Sequence, residues 1–337
     1  MKKLIATTAL VSIAAMSAAH AETKISGSLG LSYLAHSYDP ASGSDRTNSF
    51  DGFGRESQIN ISNSGTLSNG MKYAAGFSWE ADGSETVAGA STAENTYIDF
   101  INGNTTISVS ADHVDNLNAN TTNLVGFGYL QAAGGKYTTS SGYVGGNYSL
   151  SLVQKVGGTN VTLSAIPHVN SNLAANDTHD AQNNDTASVY SGASATSAVI
   201  KGDLGIPGVA ALIGRDTLAK DGTTNKVERT QLAVAYTTGK FKIAVEDIEY
   251  DTKTASTSVD NKSIGVAYAV SDAVTIGLTY GESEVKNSSV TEETTMIAVG
   301  YNLGAVSVQA QYKTVDNLGA SAGNDGQEVG IYLGTKF

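Results

Sequence analysis

The chain has 337 residues, 20 basic against 32 acidic side chains and a formal net charge of −12, and it contains no cysteine. The acidic balance argues against a nucleic-acid partner, because binding to phosphates requires a basic surface. Without cysteine, no disulfide framework, thiolate metal site or thiol nucleophile is available.

The first 21 residues have the pattern of a secretory signal peptide. Lys2 and Lys3 form a basic start, residues 4–16 are apolar, and an Ala-His-Ala cleavage site ends at residue 21. We predict cleavage there, because the apolar stretch is too short to span a bilayer as a helix. No run of 18 apolar residues follows, so the exported chain is free in the periplasm, secreted, or a membrane β-barrel.

From residue 24 onward, about sixteen segments alternate apolar with polar or small residues, which is the pattern of strands with one apolar face. Each segment is close to the roughly 9–11 residues that a tilted membrane strand requires. In the third segment, Phe77 and Trp79 fall on the predicted outward face, and Ser78 and Glu80 fall on the inward face. The predicted strands are 24–34, 55–63, 71–80, 95–101, 105–111, 147–156, 159–167, 193–202, 208–216, 227–237, 240–250, 262–270, 273–281, 293–302, 305–314 and 328–337.

The connections between these strands alternate between short turns and longer polar loops. The long loops are 35–54, 81–94, 112–146, 168–192, 217–226, 251–261, 282–292 and 315–327. A membrane barrel has this alternation because its short turns face the periplasm and its long loops face outside. A β-sandwich has no reason to keep it. The sequence therefore predicts one all-β domain over residues 22–337, a 16-stranded antiparallel transmembrane β-barrel.

The last ten residues, EVGIYLGTKF, form the final predicted strand. Val329, Ile331 and Leu333 share one face with Phe337, at which the chain stops. Ending a strand on a bare aromatic residue is unusual for a soluble domain.

Four features together resemble the Gram-negative general porins, in particular the alphaproteobacterial kind: the signal peptide, the opening strand KISGSLGLSYL, the hairpin NTYIDFINGNTTISVSAD and the terminal Phe337. The resemblance implies an outer-membrane homotrimer that passes small hydrophilic solutes and ions. It also implies that the third long loop folds inward as a constriction loop, and that the barrel-assembly machinery reads Phe337 as an assembly signal. Thr335 departs from the family pattern, in which a bulkier residue is more usual.

The longest connection, 112–146, lies where the porin family has its constriction loop. Asp112 and Asp115 are carboxylates near its start, and residues 124–133 form an apolar stretch. Such a stretch would pack against the barrel wall and offset the entropy cost of ordering an inward loop. The alternative is an ordinary exposed loop, for which this stretch would be oddly apolar.

In the porin family, the acidic residues of this loop face a cluster of basic residues on the barrel wall. The present chain departs from that pattern. Its four arginines, Arg46, Arg55, Arg215 and Arg229, are predicted in loops or near the outer rim, and Lys72, Lys155, Lys201 and Lys242 near the periplasmic ends. The mid-barrel inward positions are mostly neutral or acidic.

We predict pore residues at Glu80, Arg55, Asp99, Asp112, Asp115 and Arg229. Acidic groups along a narrow channel favour cations, so we expect a weak to moderate cation preference. The alternative is that most acids only solvate outer loops.

No catalytic constellation is visible. The histidines show no zinc spacing, and no nucleophile elbow or dinucleotide fingerprint stands in the right context. We expect a channel with no cofactor and no enzyme activity. Two alternatives from other classes are a barrel that acts as an adhesin or receptor through its extracellular loops, and an outer-membrane lipase or protease.

Overall fold

The computed structural model describes residues 22–39, 46–47, 52–81, 83–84, 91–117, 147–167, 194–219, 226–253, 258–318 and 320–337. The predicted signal peptide lies outside these residues. No helix in the described part of the chain is long and apolar enough to cross a membrane.

The strands are β1 (Glu22–Asp39), β2 (Arg46–Thr47), β3 (Gly52–Thr66), β4 (Lys72–Ala81), β5 (Gly83–Ser84), β6 (Ser91–Asn102), β7 (Thr105–Ser110), β8 (Ser149–Val156), β9 (Thr159–Ile166), β10 (Ser194–Gly202), β11 (Val209–Ala219), β12 (Lys226–Thr238), β13 (Phe241–Asp251), β14 (Val259–Ala269), β15 (Val274–Val285), β16 (Thr291–Asn302), β17 (Val306–Asp316) and β18 (Asp325–Lys336).

Sixteen long strands close into one antiparallel barrel, and β2 and β5 add short pairings at strand ends. Each long strand pairs with the next long strand along the chain, and β1 pairs with both β3 and β18. Closure leaves no sheet edge, so every long strand pairs with a neighbour on both sides. The predicted 16-stranded antiparallel barrel is confirmed.

The two faces of the wall differ as the alternating pattern predicts. In β16, Met296 and Ala298 are 2% and 1% exposed, whereas Ile297 and Val299 between them are 55% and 41% exposed. In β4, Trp79 is exposed, whereas Ser78 is buried. Apolar side chains therefore cover the outside of the barrel, as contact with lipid requires, and the predicted faces of β4 are confirmed.

The connections at the two ends of the barrel differ in length. The end that holds both chain termini carries short turns, including 103–104, 157–158 and 239–240, and the opposite end carries the connection 111–148. Gly103 and Gly239 have φ of 59° and 56°, which glycine adopts without steric cost in a two-residue hairpin turn.

Several predicted loops are shorter in the structure because the strands beside them are longer, and the loop after β15 is an example. The loop predicted over 282–292 reduces to residues 286–290, because β15 continues to Val285 and β16 begins at Thr291. Glu282, Glu284 and Glu293 take outward positions in these strand ends. The charged residues Glu282 and Glu284 interrupt the apolar pattern, so β15 was predicted to end four residues too early, and β16 was predicted to begin two residues too late.

The barrel closes where the two chain ends meet. The N–H of Gly27 donates to the carbonyl oxygen of Phe337 at 2.8 Å, and the N–H of Phe337 donates to the carbonyl oxygen of Gly27 at 3.0 Å. A Cβ added at Gly27 would lie 2.5 Å from Cζ of the Phe337 ring. Glycine at position 27 therefore provides the space that the terminal ring occupies.

Candidate functional site

A row of polar side chains crosses the inner face of seven neighbouring strands, β6 to β12. The strand register makes successive neighbours of Asp99, Ser108, Ser151, Ser164, Ser197, Asp216 and Arg229. All seven are buried, and the hydroxyl groups of Ser151 and Ser164 lie 2.7 Å apart. The row connects two predicted pore residues, Asp99 and Arg229, through successive register neighbours on the inner wall. It adds Asp216, which the sequence analysis did not single out.

The chain leaves β7 and turns against this inner wall. Asp112 has a φ of 51°, in the left-handed region that aspartate tolerates better than most residues. The next side chain, His113, stacks on Tyr97 with ring centroids 3.6 Å apart and planes 3° from parallel. Its Nε2 lies 3.1 Å from Oδ2 of Asp99. The first turn of the predicted constriction loop is therefore held on the inner side of β6.

Asp115 continues this attachment further along the loop. Its Oδ1 lies 3.0 Å from Nζ of Lys201, and its Oδ2 accepts a hydrogen bond of 2.9 Å from Nδ2 of Asn160. Asn160 and Lys201 are cross-strand partners on β9 and β10. The predicted pore carboxylate Asp115 thus faces a lysine, which reduces its attraction for a passing cation.

Two apolar side chains anchor the same segment. Leu117 has no exposed surface and packs with Val199, Leu212 and Ala233 of β10 to β12. A Cβ added at Gly214 would collide with Cδ2 of Leu117, so this glycine leaves space for the anchor.

Val114 packs against a second cluster, formed by Ile166, Ala195 and Leu218 on β9 to β11. Residues 111–117 therefore lie along the inner wall from β6 to β12. The sequence analysis missed Val114 and Leu117 and placed the anchor at 124–133, a stretch outside the described residues.

Glu80 and Arg55 have different positions relative to the wall. Glu80 is 8% exposed on the inner face of β4 and accepts a hydrogen bond of 2.6 Å from Nε2 of Gln58. Arg55 is opposite Leu31 of β1 in the register, and Leu31 belongs to the apolar outer face. The prediction of a pore role for Arg55 is therefore not supported by its position, because its side chain shares the face that points away from the interior.

Comparison with known proteins decides the family. The family model described as Gram-negative porin matches residues 6–320. The chain belongs to this family. No curated protein matches the sequence.

Solved porins share the fold at low sequence identity. An anion-selective porin from Comamonas acidovorans superposes with a TM-score of 0.65 at 14% identity, covering 94% of this chain and 100% of that chain. A mutant of Rh. blastica porin gives a TM-score of 0.61 at 13% identity, with 94% and 100% coverage. A loop-deletion mutant of OmpT, an outer membrane protein of Vibrio cholerae, gives 0.60 at 15% identity, with 94% and 99% coverage. The chain is an outer-membrane porin of the channel-forming kind, and its alphaproteobacterial character is not established by these matches.

In the part of the barrel far from the chain termini, the inner wall of this porin carries more acidic than basic side chains. The inward carboxylates of the described strands there are Glu56, Glu80, Asp216, Glu246, Glu292 and Glu328, and Asp99 lies closer to the termini end, three residues from the end of β6. The permanently charged cations in the same described region are Arg229 and Lys313, of which Lys313 lies 2.8 Å from Glu328. No group of three or more metal-ligating side chains occurs in the described part of the chain.

Proposed function

We propose that this porin is a passive diffusion channel for small hydrophilic solutes and ions, with a weak to moderate preference for cations. The observation that carries the preference is the excess of six inward carboxylates over Arg229 and Lys313 on the wall away from the termini end, with Asp99 as a seventh inward carboxylate nearer that end. Acidic side chains along a channel raise the local concentration of cations and exclude anions.

We further propose that the loop 112–146 narrows the channel. The attachments of His113, Asp115 and Leu117 to the inner wall support this role, because they hold the start of the loop inside the barrel. The predicted pore residues in this proposal are Asp99, Asp112, Asp115, Glu80 and Arg229. The functional unit is proposed to be a homotrimer in outer-membrane lipid, as the family resemblance implies.

The first test is the conductance of the purified, refolded protein in a planar lipid bilayer under a salt gradient. A trimeric channel opens in groups of three equal steps, and a cation preference moves the reversal potential toward the cation side. Well-folded protein that inserts without conducting would contradict the channel proposal and favour a barrel that acts as a receptor through its loops.

Neutralising three inner-wall acids, Glu80→Gln, Glu246→Gln and Glu292→Gln, is expected to lower the cation-to-anion permeability ratio. A unit charge about 10 Å from a passing ion contributes roughly 0.4 kcal/mol in water, about a two-fold change in local cation concentration for each charge. The measurement is the reversal potential at low salt.

The matched control removes the same number of charges from the outer face, with Asp247→Asn, Glu282→Gln and Glu284→Gln. These side chains point away from the interior, so the permeability ratio should not change. Equal shifts in both variants would show that the surface charge of the whole protein, and not the inner wall, determines selectivity.

The chain is also proposed to lose residues 1–21 on export, and to be recognised at Phe337 by the barrel-assembly machinery. The mass of the protein isolated from outer membranes tests the first point, because cleavage after Ala21 gives a mature chain that begins at Glu22. An isolated protein that retains the basic start would contradict it.

A further inference from the structure

Four lysines surround the inner wall at the end of the barrel that holds the termini. Lys72 begins β4, Lys155 and Lys336 lie at the ends of β8 and β18, and Lys242 lies near the start of β13. Each shares the inward face of its strand, as Lys72 does with Ser78 and Glu80 and Lys242 does with Ala244 and Glu246. We call these four residues the lysine collar.

The lysine collar is spread around the circumference rather than gathered on one side. Its strands, β4, β8, β13 and β18, are three or five long strands apart in the closed barrel. None of the ion pairs formed between described residues involves a collar lysine. Lys24 and Lys201, at the same end, pair with Glu22 and Asp115. The collar therefore presents positive charge to ions from all sides of this mouth.

Three of the collar strands also carry an inward carboxylate further from the termini. Lys72 is followed by Glu80 on β4, Lys242 by Glu246 on β13, and Lys336 is preceded by Glu328 on β18. Four to eight residues separate each pair, roughly 13–26 Å along a strand at about 3.3 Å per residue. This separation exceeds the Debye length of about 10 Å at 0.1 M salt, so the two charge zones act on ions separately.

Neutral side chains on neighbouring strands hold two carboxylates of the acidic zone. Gln58 donates a hydrogen bond to Glu80, and Gln231 donates one to Glu246. Both donors are neutral amides, so neither hydrogen bond cancels the charge of the carboxylate that it orients. The interior thus has a zone that favours cations followed, along the same axis, by a mouth that favours anions.

We propose that this axial charge separation makes the porin conduct asymmetrically and makes the lysine collar an anion-collecting mouth on the periplasmic side. When the extracellular side is positive, cations enter through the acidic zone and anions enter through the collar, so both kinds of ion accumulate in the channel. With the voltage reversed, each kind of ion must enter through the zone that repels it, and the channel is depleted. The inference rests on the proposed channel function and on the family rule that places short turns in the periplasm.

The test is the current through single porins of known orientation at equal and opposite voltages. The chain has no cysteine, so Asn104→Cys in a short turn can carry biotin, and streptavidin added to one side identifies the periplasmic mouth. At 0.1 M salt the current with the extracellular side positive is expected to be larger by roughly 1.5-fold or more, and the ratio should approach one at about 1 M, where the Debye length is about 3 Å.

Removing the collar charges with Lys72→Gln, Lys155→Gln, Lys242→Gln and Lys336→Gln should abolish the asymmetry and increase the cation preference. The matched control, Lys226→Gln, Lys253→Gln, Lys262→Gln and Lys286→Gln, removes the same charge from outer-face and loop positions and should keep the asymmetry. If the quadruple collar variant does not fold, Lys242→Cys provides a second measurement. A cationic methanethiosulfonate reagent should restore the asymmetry of that variant, and an anionic reagent should reduce it further.

A conducting porin with equal currents in both directions at low salt would overturn this inference alone. A larger current with the periplasmic side positive would do the same. Protein that inserts without conducting would overturn the proposed channel function, and this inference with it.

Discussion

Replacing Leu117 with aspartate is expected to increase the single-channel conductance and to admit larger solutes. Leu117 is fully buried between Val199, Leu212 and Ala233 on the inner wall. Truncating such a buried leucine to alanine costs about 2–5 kcal/mol, and an unpaired carboxylate in an apolar site costs more. The start of the loop 112–146 should therefore leave the wall while the barrel, which is held by its strand pairing, stays closed. Planar-bilayer recording and liposome swelling with sugars of increasing size measure the two effects.

A second variant displaces Leu117 by changing the wall residue against which it packs. A side chain added by Gly214→Val would occupy the space of Leu117 Cδ2, so it should also increase the conductance. The control is Leu303→Asp, because Leu303 lies in a short turn and is 55% exposed. Unchanged conductance and an unchanged size limit in both the Leu117 and Gly214 variants would show that this anchor does not position a constriction.

The barrel was predictable because its defining features repeat along the chain. Alternation in segments such as 71–80 determines which residues face lipid, and a shift of one residue would exchange both faces. The even number of antiparallel strands then places both termini at one end. The same apolar criterion fails where charged side chains continue an outward face, as Glu282 and Glu284 do, so the last four residues of β15 were missed.

The position of Arg55 could have been derived from the sequence. Arg55 has the same parity as Ile59 and Ile61, whose side chains belong to the outer face of β3. Strand alternation alone therefore predicts an outward side chain at Arg55, which is the position that the register gives it.

The inner attachments of the loop could not be derived in this way. Leu117 meets Val199, Leu212 and Ala233, which are 82 to 116 positions later in the chain. The row that joins Asp99 to Arg229 depends on the register of every strand between them. Short-range patterns determine which face a residue occupies, but long-range register determines its neighbours on that face.

Deleting Phe337 is expected to reduce the yield of folded barrel strongly. The deletion removes both backbone hydrogen bonds between Phe337 and Gly27 and the ring that packs against Gly27. Each such bond contributes about 0.5–1.5 kcal/mol, and about 1.4 kcal/mol corresponds to a tenfold change in an equilibrium constant. The equilibrium constant for folding in detergent, followed through a urea titration, should therefore decrease by roughly tenfold. Gel mobility of unheated samples measures it, because a closed barrel migrates differently from the unfolded chain.

Two comparisons separate strand closure from recognition by the assembly machinery. Gly27→Val keeps the terminal aromatic residue but fills the space of its ring, so it should reduce folding in detergent and in cells alike. Phe337→Tyr keeps both the hydrogen bonds and an aromatic ring and should fold normally in detergent. If the Phe337 deletion folds normally in detergent but fails only in cells, closure at Gly27 contributes little, and the aromatic residue acts through the assembly machinery alone.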